Sequence, residues 1–394
     1  MRAPQAVLLG TVTIDAMGVG LMIPVLPDLL REVTGSGLAQ AALWGGLLST
    51  GFSAMQFLCG PALGALSDRY GRRPILLVSL AVMAADYLVM ALAATVWWLL
   101  AARLVSGVTA ATQSTASAAM SDLSPPEKKS ANFGLIGAAF GMGFVLGPML
   151  GGVLGEFGTR APFYAAAALA ALNCALGWWV LPETVTDRTR RPLEMRRLNP
   201  LGAFRALNRL EGVGQGIFTF FLLQVAFFVY PAIWAYYGTA RFGWSPGMIG
   251  LSLALFGIAV AFVQGGLIRV ILRVLGDRGT VIYGLVFNGV AFLALALVQS
   301  GTLAMILTPL AAFGAVTSPA LQGMLARVVG DDEQGALQGL FSSAAALAAI
   351  VSPPIMTAIF AAFTRPEGPY FPGAPFLASL AILGLALALV LRRG

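Results

Sequence analysis

The sequence predicts an all-α membrane protein with twelve transmembrane helices in two pseudo-symmetric six-helix halves. Three observations carry this. Of 394 residues, 58% are hydrophobic and only 10% charged, whereas a soluble domain carries about 25% charged residues. Breaks at charges, prolines and glycine clusters leave twelve apolar segments, each near the roughly 20 residues that cross a bilayer. Lysine and arginine are unevenly shared between the connections, as the positive-inside rule requires.

The first segment, 6–27, follows Arg2 and runs past Asp15 to Pro27. It is too long for a signal-peptide core and shows no clear cleavage site, so a retained span is expected. The others are 42–63, 74–94, 97–120, 132–154, 162–182, 212–238, 247–268, 279–299, 302–325, 336–361 and 372–391. With the N-terminus inside, nineteen of the 24 basic residues share one side, four lie on the other, and Arg103 lies within a span. Both termini are therefore expected in the cytoplasm. One long polar connection, 183–211, carries seven arginines. It separates an N-terminal half, 1–182, from a C-terminal half, 212–394, and is expected to be a solvated linker near anionic headgroups.

Several functions are excluded. There is no histidine, no Ser or Cys nucleophile with a placed base, no zinc spacing and no phosphate-binding glycine loop. No enzyme, metal site or cofactor is expected, and a gradient must supply the energy. Cys59 and Cys174 lie in apolar runs and read as small core residues. The net charge of +7 reports cytoplasmic arginines rather than a nucleic-acid surface. The lipid bilayer and a small-molecule substrate are the expected partners, with one chain as the working unit.

Two motifs stand out. GALSDRYGRRP (Gly64–Pro74) places Gly64 and Gly71 where a tight turn or close approach is needed. Asp68 can bond the N-terminal end of a neighbouring helix and pair with Arg72 or another arginine. With Arg69 and Arg73 it forms a candidate gate. GGLIRVILRVLGDRG (Gly265–Gly279) follows span 8 as a degraded version. GFVLGPMLGG (Gly143–Gly152) supplies Gly143, Gly147, Gly151 and Gly152 for close helix packing, with Pro148 as a bend. SPPIM (Ser352–Met356) stands at the matching place in the second half.

Three ionisable residues fall inside spans: Asp15, Asp86 and Arg103. An unpaired charge at mid-bilayer costs about 3 kcal/mol or more, so each should face protein or water. A structural ion pair and a proton or substrate site are both open readings. Gln56, Thr109, Gln113, Gln224, Asn288 and Gln322 lie in spans of both halves. Together they would line an amphiphilic cavity; singly, each also reads as a helix–helix hydrogen bond.

The strings DAMGVGLMIPVLPDLLRE, MQFLCGPALGALSDRYGRRP, ADYLVMALA, ARLVSGVTAAT, GPMLGG and PALQG…EQGALQG make the chain resemble the tetracycline/proton antiporters of the major facilitator superfamily, over nearly its whole length. The resemblance implies proton-coupled export of a tetracycline–divalent cation complex, or a similar amphiphilic drug, from the bacterial inner membrane. It also implies a transport role for Asp15, Asp86 and Arg103, and a gate of Asp68, Arg72 and Arg73 with Asp122 at the end of span 4. Two departures matter. Where the family carries a histidine in span 8 and an aspartate in span 9, this chain has Val260 and Asn288. Coupling would then fall on Asp15 and Asp86. The alternative is export of another drug or a host natural product, with altered or no proton coupling.

Overall fold

The computed structural model describes residues 3–187, 190, 192–193, 198–202, 204, 207, 210, 212–330 and 333–392. Arg2, Arg393 and six of the seven linker arginines lie outside them. Among the described residues every regular element is helical. That is the expected outcome where lipid offers the backbone no hydrogen-bond partner.

The helices follow the predicted order, with several predicted spans broken. Span 1 is α1 (Ala3–Met22), shorter than expected, followed by a separate short helix α2 (Leu26–Thr34). Pro24 lacks the amide that would continue α1. Next come α3 (Leu38–Tyr70), α4 (Arg72–Leu92) and a divided span 4, α5 (Val96–Val108) and α6 (Thr112–Asp122). Then follow α7 (Lys129–Gly155) and α8 (Ala161–Val180). Span 7 is also divided, into α9 (Gly214–Phe227) and α10 (Val229–Phe242). Pro231 cannot donate across that junction, which accounts for the break.

Spans 8 and 9 run on without a loop. α11 (Pro246–Phe262) passes through a π turn (Val263–Leu267) into α12 (Ile268–Leu297), interrupted at Gly276. Span 10 is α13 (Gly301–Ala311), a 3₁₀ segment (Ala312–Val316) and α14 (Thr317–Ala326). α15 (Gln334–Ala362) and α16 (Ala374–Leu391) complete the chain. Nine helical segments among the described residues are long and apolar enough to cross a membrane. One of them, Pro246–Leu297, has 52 residues. At 1.5 Å per residue it is about 78 Å long, more than twice the roughly 30 Å hydrocarbon, so it supplies two spans. The more polar α3 and the divided α5–α6 bring the total to the predicted twelve.

Contacts sort the chain into two units: Met1–Thr34, Gly51–Pro200 and Pro246–Leu251 in the first, Gly35–Thr50, Leu201–Ser245 and Ser252–Gly394 in the second. The first unit rests on α1 against α7. Gly143, Gly147 and Gly151, one turn apart, lie against the backbone carbonyls of Thr13, Met17 and Leu21, also one turn apart. A Cβ at any of the three would meet backbone closer than 3.0 Å. Gly20 gives the same room to the Pro148 ring. Gly152 faces elsewhere, against Pro246 and Gly250 at the start of α11.

The second unit has an aromatic core. Tyr230, Trp234 and Tyr237 of α10 pack on Phe292 and Phe376, with ring centroids 5.0–6.1 Å apart. Trp234 Nε1 donates to Ser252 Oγ at 2.8 Å. The first turns of α3 pack here, Gly46 against Pro353 and Thr357 of α15.

The α1–α7 contact gives a sharp expectation. Gly147→Val pushes a side chain into a carbonyl, whereas Gly137→Val, on the same helix, enters open space. Gly147→Val should cut folded protein at least tenfold by fluorescence-detected size-exclusion chromatography, and Gly137→Val should leave it unchanged.

Candidate functional site

The charged residues of the first unit's interior gather around α4, α5 and the broken span 4. Asp86 of α4 and Arg103 of α5 form an ion pair, with side chains only 1% and 6% exposed. Arg103 lies over the rings of Phe52 and Tyr87 at 5.4 and 5.7 Å, and its Nη1 sits 3.6 Å from Met22 Sδ. Asp86 Oδ1 and Arg103 Nε have no hydrogen-bond partner among the described residues. The Tyr87 ring packs on Gly18 of α1, one turn beyond Asp15.

Asp15 stands apart from this pair. It is partly buried, and no cation pairs with it among the described residues. Thr112, the first residue of α6, lies beside its carboxylate. The break in span 4 therefore has a use: it brings a helix N-terminus, with its partial positive charge, next to a carboxylate inside a membrane span. Gly107, just before the break, abuts the backbone of Phe52. The two carboxylates thus differ in kind. One is neutralised by arginine; the other is held only by a hydroxyl and a helix end.

The gate residues converge at the turn between α3 and α4. Arg72 pairs with Asp68, donates to Ser67 Oγ at 3.1 Å and lies 3.4 Å from Asp122. Asp122 also accepts from Thr184 Oγ1 at 3.0 Å. The helix end that Asp68 was expected to bond is instead held by Glu183, which sequence reasoning missed. Its carboxylate accepts from the Arg72 and Arg73 amides at 2.9 and 3.2 Å, and from the Thr184 and Val185 amides at 2.8 and 2.9 Å. Gly71, at φ 120°, leaves the space this carboxylate fills. Arg73 donates to Trp178 O and stacks 5.4 Å from that ring. Arg69 instead lines a surface cavity of about 460 Å³ with Tyr70, Asp187, Arg190 and Pro192. Gly64 has open space beside it. The one available signal for Glu183 was an acid directly after the last apolar residues of span 6.

The polar cavity candidates divide by unit. Gln56 donates to Ala110 O at 3.3 Å, Thr109 to Ser106 O at 3.3 Å, and Gln113 is exposed. In the second unit a cavity of about 200 Å³ is lined by Gln224, Gln264, Ser318, Phe227, Phe256 and Val260, among others. Gln322 donates to Ser318 Oγ at 3.1 Å. Asn288 stands behind the wall: it is buried and donates to Gly314 O at 2.9 Å and Thr317 Oγ1 at 3.3 Å.

Comparison with known proteins gives a consistent picture. The family described as Major Facilitator Superfamily matches residues 8–239 and 216–394. The chain is 43% identical to the class C tetracycline resistance protein of Escherichia coli, over 90% of this chain and 89% of that one. It is 40% identical to the class G tetracycline resistance protein of Vibrio anguillarum, over 92% and 91%. Among solved structures, the human organic anion transporter MFSD10 aligns with a TM-score of 0.73 and 26% identity, covering 99% of both chains.

Removing one partner of a buried ion pair leaves an uncompensated charge, worth about 3–5 kcal/mol. Asp86→Asn and Arg103→Gln should each lower the midpoint of thermal unfolding in detergent. The double variant should be more stable than either single one. If the loss in the double variant equals the sum of the two single losses, the pair is not coupled.

Proposed function

This chain belongs to the major facilitator superfamily, among the tetracycline resistance proteins, and we propose that it exports tetracycline, as its divalent-cation complex, in exchange for protons. The observation that carries the mechanism is the unequal standing of Asp15 and Asp86. Asp86 is already paired with Arg103. Among the described residues no cation pairs with Asp15, so its charge is left for a proton or a cationic cargo to balance. A proton on Asp15 removes a buried charge and favours a closed state; loss of that proton makes room for a cationic cargo. Proton and drug then exclude one another, which is the requirement for antiport. Asp86 and Arg103 hold Tyr87 and, through it, α1 in place.

The cavity of the second unit supports a planar, partly polar cargo. Phe227 and Phe256 offer faces for stacking, while Gln224, Gln264 and Ser318 offer neutral hydrogen-bonding groups. Val260 contributes only apolar surface there. This favours recognition by shape and neutral contacts, and it is the observation behind a second reading in which the cargo is another amphiphilic drug or a natural product. The reading further takes the halves 1–182 and 212–394 as the moving bodies. It places the protein as a monomer in the bacterial inner membrane with both termini cytoplasmic.

Flux decides the assignment. Purified protein in vesicles with an imposed proton gradient should accumulate Mg²⁺–tetracycline. Asp15→Asn, which copies the protonated form, should abolish the dependence on the gradient and weaken tetracycline binding at least about threefold. In Asp86→Asn the rate should fall, yet remain gradient-dependent. Full gradient-driven export by Asp15→Asn sinks the coupling assignment. Export of unrelated amphiphiles but not tetracycline selects the second reading.

A further inference from the structure

The turn after span 8 looks like a worn copy of the turn after span 2. Its contacts show something else. Gly71 and Gly276 both have positive φ, at 120° and 66°, in a turn between two spans. The next residue is Arg72 in one case and Asp277 in the other. Arg72 reaches Asp122, the last residue of α6; Asp277 pairs with Arg327, directly after the last residue of α14. The third residue is arginine in both, and caps the end of a second helix. Arg73 donates to Trp178 O in the last turn of α8, and Arg278 to Val390 O and Leu391 O at 3.3 and 3.4 Å, at the end of α16.

The register is the same for the turn and for the ion pair. One common chain offset relates Gly71 to Gly276, Arg72 to Asp277, Arg73 to Arg278, and Asp122 to Arg327. It also relates Asp68 to Arg273. So the triad Asp68, Arg72, Asp122 recurs as Arg273, Asp277, Arg327, with every sign inverted. Chance surface pairing does not reproduce three positions, two positive-φ glycines and an unchanged arginine cap.

We propose that Asp277 and Arg327 form a second clasp, the charge-inverted counterpart of Arg72 and Asp122, which ties the ends of α12, α14 and α16 so that they move as one body during transport. Both residues are positioning residues. A clasp needs opposite charges at the two points, but the direction of the pair is free, so inversion preserves the device while erasing the sequence match. The clasp in the second unit is the more open one: the Arg327 side chain is 75% exposed and that of Asp277 21%.

The proposal rests on the transport reading only for its effect on rate, so two measurements are needed. The variants are Asp277→Arg, Arg327→Asp, the double reversal, and the milder Asp277→Asn. In vesicles with Mg²⁺–tetracycline, each single variant should lower the maximal rate five- to tenfold with KM within twofold. Independently, hydrogen exchange of the amides in 268–282 should quicken at least tenfold. The double reversal should return both quantities to within threefold of the wild type. Singles that exchange like the wild type, or a double reversal as impaired as the singles, overturn the clasp. If the wild type moves no tetracycline, the transport reading fails, and the exchange measurement still decides the clasp.

Discussion

The absence of water along the spans is the constraint behind the rest. A backbone group facing hydrocarbon cannot be left unpaired, so helices carry nearly the whole described chain. Interruptions survive only where protein compensates. The break before α6 delivers Thr112 and a helix end to Asp15. The 3₁₀ segment before α14 presents Gly314 O to the buried amide of Asn288. In both units span 4 or its counterpart opens where a polar side chain from another helix meets it. With no hydrophobic difference between lipid and protein interior, close packing and such bonds must supply helix association. The three α7 glycines lying against three α1 carbonyls are the packing half of that statement.

The same constraint sorts the interior charges. Asp86 and Arg103 are tolerable together and costly apart. Arg103 adds two aromatic faces and Tyr87 adds a wall against Gly18, so the pair fixes α1, α4 and α5 in one arrangement. Asp15 is left as the one interior carboxylate of α1, within a frame the pair has made rigid. Asp15 is not a member of the pair, so a change in its charge would leave the pair and its packing in place.

The spans were legible because lipid selects for composition, and composition is what a sequence displays most plainly. The positions of Asp15, Asp86 and Arg103 were legible for the same reason, as exceptions in apolar runs. Breaks were harder to see. Pro231 sits in a continuous apolar run, and nothing local marks Val108–Thr112 as a junction; the close approach of Gly107 to Phe52 beside it is tertiary. Glu183 was missed because a carboxylate at the head of a polar linker looks solvated. Its role depends on the distant α4 amides. Asp277 was read as part of a degraded motif because pattern matching scores identity, and charge inversion has none.

These particulars bear on how the work is divided between the units. The turn geometry repeats in the same register, positive-φ glycine, ion pair and arginine cap alike, so the mechanical framework is shared. The interior chemistry is not shared. The offset that maps Arg72 to Asp277 maps Asp86 to Ala291 and Arg103 to Thr308. Ionisable groups are thus concentrated in the first unit's spans, while the second unit's cavity offers amides, a hydroxyl and aromatic faces. A repeat that kept titratable groups in both interiors would have two charge states to coordinate in every cycle. Confining them to one unit leaves a single interior whose charges must be balanced.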